Sequence, residues 1–90
     1  MADFIKDLSI DCPADERLAV IGRVAAALRN DSRVLDVADG VQTLFGNGWC
    51  LLQALNNDPS IDAHCEAGDE SAADEILAVI EEYVVRAGVS

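Results

Sequence analysis

Apolar positions along this chain follow two different periods. After Asp11-Cys12-Pro13, Leu18, Ile21, Ala25 and Leu28 recur at helical spacing, with Glu16, Arg17, Arg23 and Arg29 mostly off that stripe. Pro13 suits a first helical turn, Asp15 and Glu16 complement its dipole, and Asn30-Asp31-Ser32 ends the helix. A second helix is predicted from the capping-box-like Ser71-Ala72-Ala73-Asp74. Ala73, Ile76, Leu77, Ile80, Val84 and Ala87 line one of its faces, and Gly88 is a natural residue just past its end. Between the helices the period falls to two. Arg33 to Val37 reads as a short strand, Asp39-Gly40 as a turn, and Val41, Thr43 and Phe45 as one face of a further strand. Gly46-Asn47-Gly48 reads as a tight hairpin turn, because Gly and Asn tolerate positive φ. Trp49 to Leu55 is apolar on both faces, as an inner strand would be, and Asn56-Asn57-Asp58-Pro59-Ser60 breaks it. Ile61, Ala63, Cys65 and Ala67 then oppose Asp62, His64 and Glu66. The expected fold is α+β, a two-layer sandwich. An antiparallel sheet of three to four strands carries both helices on one face.

Length and charge narrow the functional classes. Ninety residues make a single domain, 1–90, with 51% hydrophobic and 26% charged positions and a net charge of −11. The successive thirds carry −1, −3 and −7, so the acid is concentrated toward the C-terminus. Such a field repels phosphate backbones and anionic lipid, which argues against nucleic-acid and membrane partners. No apolar run approaches the ~18 residues of a spanning helix. Residues 1–10 have no basic segment leading into an apolar one. Cys12, Cys50 and Cys65 form an odd set without a CxxC, which reads as reduced thiols in the cytoplasm.

Residue chemistry offers little for catalysis. His64 and Cys65 are neighbours on a strand and point to opposite faces, so they do not share a metal ion. Cys50 and Cys65 lie in apolar alternation, where a thiol behaves as a small hydrophobe. Asp74-Glu75 and Glu81-Glu82 diverge by about 100° around a helix and make no acid–base dyad. No cofactor is implied. The loop from Asn56 to Ser60, amide-rich and directly after a buried strand, is the best place for a ligand.

At that loop a resemblance becomes specific. Asp39-Gly40-Val41-Gln42-Thr43-Leu44-Phe45, Gly48-Trp49-Cys50-Leu51-Leu52-Gln53, Asp58-Pro59 and Cys65-Glu66-Ala67 resemble the C-terminal domain of the α-D-phosphohexomutases. These are the phosphoglucomutase/phosphomannomutase enzymes, whose C-terminal domain is TATA-binding-protein-like. The likeness covers residues 14–87. In the family an Arg-Pro-Ser-Gly/Asn-Thr-Glu-Pro loop grips the substrate phosphate, the Arg as a fork of donors and the hydroxyls beside it. Here Gln53 stands in the Arg place, Ala54 in that of Pro and Leu55 in that of Ser. Asn56 takes the Gly/Asn place, Asn57 that of Thr and Asp58 that of Glu, while Pro59 is unchanged. The resemblance therefore implies a phosphate loop, Gln53, Asn56, Asn57 and Asp58, that has lost its cation and its hydroxyls.

The family's phosphoserine, magnesium and sugar-recognition loops belong to other domains, and nothing in these 90 residues resembles them. The expectation is a non-catalytic stand-alone domain whose partners are a protein or a weakly bound sugar phosphate. The alternatives are a substrate-phosphate-binding piece of a phosphohexomutase, active only with its other domains, and an acidic protein-interaction domain that shares the fold by convergence.

Overall fold

The alternating stretch of residues 33–67 folds as consecutive antiparallel hairpins. The structure is a computed structural model describing residues 4–30, 32–55 and 58–88. Its elements run β1 (Phe4–Asp11), α1 (Arg17–Leu28), β2 (Arg33–Val37), β3 (Gly40–Phe45), β4 (Gly48–Gln53), β5 (Ser60–Ala67) and α2 (Glu70–Arg86). The strands form one sheet in the order β1-β5-β4-β3-β2, every neighbouring pair antiparallel. Apolarity on both faces of Trp49–Gln53 matches its place at the centre.

Register explains the core. Leu8, Ala63, Leu52 and Val41 lie opposite one another across four strands, as do Lys6, Cys65, Cys50 and Thr43. Helix α1 packs on β3 and β2, and α2 packs on β5, β1 and β4. Both helices therefore cover the face that carries Cys50, Leu52, Ile61 and Cys65, and the other face stays open. Small residues let α2 lie close: Ala63 and Ala67 on β5 meet a helix that buries Ala72 and Ala73. A chain with few aromatics fills its core this way.

Several local readings need correction. The sheet has five strands, one more than the upper expectation, because Phe4–Asp11 pairs along the whole of β5. Helix α1 starts at Arg17, after a turn closed by Glu16 N–H to Pro13 O at 2.9 Å, so Asp15 and Glu16 precede it. Its buried stripe is Arg17, Val20, Ile21, Val24, Ala25 and Leu28. Leu18, expected in the core, is 60% exposed. Helix α2 is capped by Asp69, whose carboxylate accepts from Ala72 N–H at 2.7 Å, rather than by Ser71. The Gly46-Asn47 turn forms, yet positive φ among the described residues is confined to Asp39 and Gly88. Glycine is needed instead at Gly40 and Gly48. A Cβ there would sit 1.8 Å from Leu52 O and 2.2 Å from Glu66 O, respectively.

Candidate functional site

Strand β4 delivers the chain to the loop singled out from sequence. Gln53 is its last residue and lies on the open face; its Nε2 donates to Ala38 O at 3.3 Å, across the β2–β3 turn. Asn56 and Asn57 fall outside the described residues. Asp58 is exposed, and its carbonyl accepts from Ser60 N–H at 2.8 Å. The loop is held from both sides. Arg17 Nη1 donates to Leu55 O at 3.0 Å while its Nε donates to Ala14 O at 3.2 Å, and Cys12 N–H donates to Pro59 O at 2.9 Å.

Arg17 is the residue that sequence reasoning misplaced. Only 8% exposed, it joins the start of α1 to the start of the loop. A signal existed: a cation in the first turn of a helix opposes the macrodipole, so it needs a partner elsewhere.

Beside the loop, on the open face, lies a shallow cleft of about 570 Å³ that Gln53 and Leu55 share with Asp7, Leu51, Asp62 and His64. Gln53 and Leu55, on either side of Ala54, thus meet in one depression. His64 is bracketed by carboxylates, Nδ1 at 2.7 Å from Asp7 Oδ1 and Nε2 at 2.9 Å from Glu66 Oε2. The hydrogen bond to Glu66 raises its pKa above the ordinary imidazole value, Asp7 adds to this, and partial burial opposes it. The Trp49 ring lies 5.6 Å from the imidazole, tilted by 46°. Any positive charge on His64 is therefore already matched by Asp7 and Glu66, and Asp62 adds another acid to the rim.

Four of the other five Lys and Arg side chains are engaged on the helix side, and Arg33 is exposed on the edge strand β2. Lys6 reaches Asp74 at 2.5 Å and Glu70 at 3.8 Å, Arg23 donates to Ala87 O at 2.7 Å, Arg29 pairs with Asp36 at 2.8 Å and Arg86 pairs with Glu82. Among the described residues no group of three or more His, Cys, Asp or Glu is placed to hold a metal ion. Nor is any of their helices long and apolar enough to cross a membrane.

The chain spans only about one seventh of the length of the curated relatives it matches. No family model matches it. It is 32% identical over 62 residues to a phosphoglucomutase/phosphomannomutase of Thermococcus kodakarensis, spanning 69% of this chain and 14% of that protein. It is 28% identical over 67 residues to a probable phosphoglucosamine mutase of Methanocella arvoryzae, spanning 74% of this chain and 15% of that protein. Its fold superposes, with a TM-score of 0.74 and 19% identity, on a phosphoglucomutase/phosphomannomutase family protein from Burkholderia thailandensis, over 100% of this chain and 19% of the other. The chain is thus similar in sequence to one part of phosphoglucomutase/phosphomannomutase family proteins and shares a domain fold with them, in keeping with its resemblance to their C-terminal domain.

Proposed function

We propose that this segment is a non-catalytic phosphohexomutase-type domain whose phosphate-gripping loop no longer grips phosphate. The observation that carries the reading is at Gln53. A neutral amide occupies the place where the family pattern has a guanidinium, and that amide donates to Ala38 O beside a cleft rimmed by Asp7, Asp62 and the paired His64. A phosphate dianion entering there would face the Asp7 and Asp62 carboxylates with no Lys or Arg side chain among the described lining residues, and desolvating an anion against like charge is unfavourable. Leu55 adds an alkyl group where a hydroxyl is called for. On this reading the domain is cytoplasmic and works through a protein contact or a sugar phosphate held weakly.

The test is turnover. The purified chain, with magnesium and glucose 1-phosphate or mannose 1-phosphate, is expected to form no hexose 6-phosphate above the buffer rate. Activity that follows the protein through a second purification step would overturn the reading. A second reading, that the segment serves as one domain of a complete mutase, is favoured by the 32% identity to such a protein. It predicts that the chain restores activity to a phosphohexomutase lacking its own C-terminal domain, whereas the first predicts no rescue.

A further inference from the structure

Cys50 and Cys65 face one another across β4 and β5, both fully buried and both free thiols. Their position in the ladder fixes how near they come. Gly68 N–H donates to Asn47 O at 3.0 Å, one step beyond the Gly48–Ala67 pair. Counting inward by twos, the next bonded pair is Trp49–Glu66, and Cys50–Cys65 is non-hydrogen-bonded. The opposite edge of β4 gives the same answer. Ala54 N–H donates to Asp39 O at 2.9 Å, which makes Val41–Leu52 and Thr43–Cys50 the bonded pairs. The backbone groups of Cys50 therefore point toward β3 and away from Cys65.

Non-hydrogen-bonded pairs bring Cα atoms to about 4.5 Å and their side chains closest, inside the window of about 4.4–6.8 Å that a disulfide spans. The two thiols share one buried cross-strand position and influence each other's protonation. That influence, more than burial, pushes Cys50 up and holds Cys65 down. Cys12 stands apart. It lies opposite Pro59, six positions along β5 from Cys65, a separation of about 20 Å at strand rise.

We propose that Cys50 and Cys65 are a redox modification site, a dithiol that closes to a cross-strand disulfide at the centre of the sheet by exchange with a low-molecular-weight disulfide. The Cys65 thiolate attacks one sulfur of the small disulfide, forming a mixed disulfide and expelling one small thiolate, which takes up the Cys65 proton. The Cys50 sulfur then attacks Cys65 and expels the second small thiolate, which leaves with the Cys50 proton. Two protein thiols and one small disulfide become one protein disulfide and two small thiols. Because both sulfurs are covered, with α2 packed over β5 and β4, exchange proceeds through openings of that helix and is slow. The modification ties the strand that ends at Gln53 to the strand that carries His64, and so couples the cleft to thiol redox state.

The experiment incubates the folded protein with oxidised glutathione, quenches in acid, denatures, alkylates and maps the peptides by mass spectrometry. The expected result is a Cys50–Cys65 cross-link lighter by two hydrogens, Cys12 alkylated, and circular dichroism unchanged. The same treatment in concentrated urea should scatter linkage among all three pairings. Cys12→Ser should retain the cross-link and Cys65→Ser abolish it. Three alkylated thiols after prolonged exposure, a persistent mixed disulfide with glutathione, or linkage to Cys12 in the folded protein would each overturn the proposal.

Discussion

Ile80→Ala is expected to cost about 2–5 kcal/mol of stability, while Glu81→Ala, one residue along, should change it by no more than about 0.5 kcal/mol. Ile80 is fully buried on the face of α2 that covers the sheet, and Glu81 is exposed. Truncating Ile80 removes transfer free energy and leaves a cavity in a close-packed core that relaxes only partly. Urea denaturation of both variants measures the difference. Equal midpoint shifts would mean that α2 packs by another face.

Alanine scanning of the glycines should separate two classes. Gly40→Ala and Gly48→Ala push a methyl into the backbone of an inner strand, at Leu52 O and Glu66 O, and backbone cannot rotate out of the way as a side chain can. Each is expected to destabilise by about 1–3 kcal/mol or more, the usual cost of overpacking. Gly22, in the exposed interior of α1, has nothing within 4 Å of its added Cβ. Gly22→Ala should stabilise by about 0.5–1 kcal/mol, through helix propensity and a less free unfolded chain. Thermal melts of the three variants check the order. A stable Gly40→Ala protein would show that β3 and β4 do not approach as described.

The same contacts explain what could and could not be read in advance. The central strand, both helices and their placement on one face followed from period alone, since burial of Leu52, Ile61 and Ile80 is what the pattern encodes. Strand β1 was hidden because Lys6 interrupts its inward row of Phe4, Leu8 and Ile10, and Ile5 interrupts the outward row of Asp7, Ser9 and Asp11. Lys6 is tolerated there because Asp74 and Glu70 of α2 meet it, a partnership formed only on folding. Leu18 and Arg17 exchanged their expected places for a similar reason. The guanidinium is buried because Leu55 O and Ala14 O receive its protons, and hydropathy alone ranks leucine as the inward residue. At the candidate site, the neutral amide of Gln53 was legible in the sequence. The carboxylates facing it were not, because Asp7 and Asp62 come together only through the pairing of β1 with β5.

The loss of phosphate recognition is tested most directly by an NMR titration of the native chain with glucose 6-phosphate, following the amides of residues 53–60. A triple variant, Gln53→Arg, Leu55→Ser and Asn57→Thr, is titrated alongside. The native protein should bind no more tightly than about 1 mM, a free energy of roughly −4 kcal/mol or weaker. The variant should bind more tightly, because hydrogen bonds to a charged partner contribute roughly 1.5–3 kcal/mol. Added salt should strengthen its binding by screening the strongly negative background that the variant keeps from the native chain. Saturable shifts confined to residues 53–60 of the native chain at micromolar sugar phosphate would contradict the account, because they would show a phosphate grip intact without its arginine.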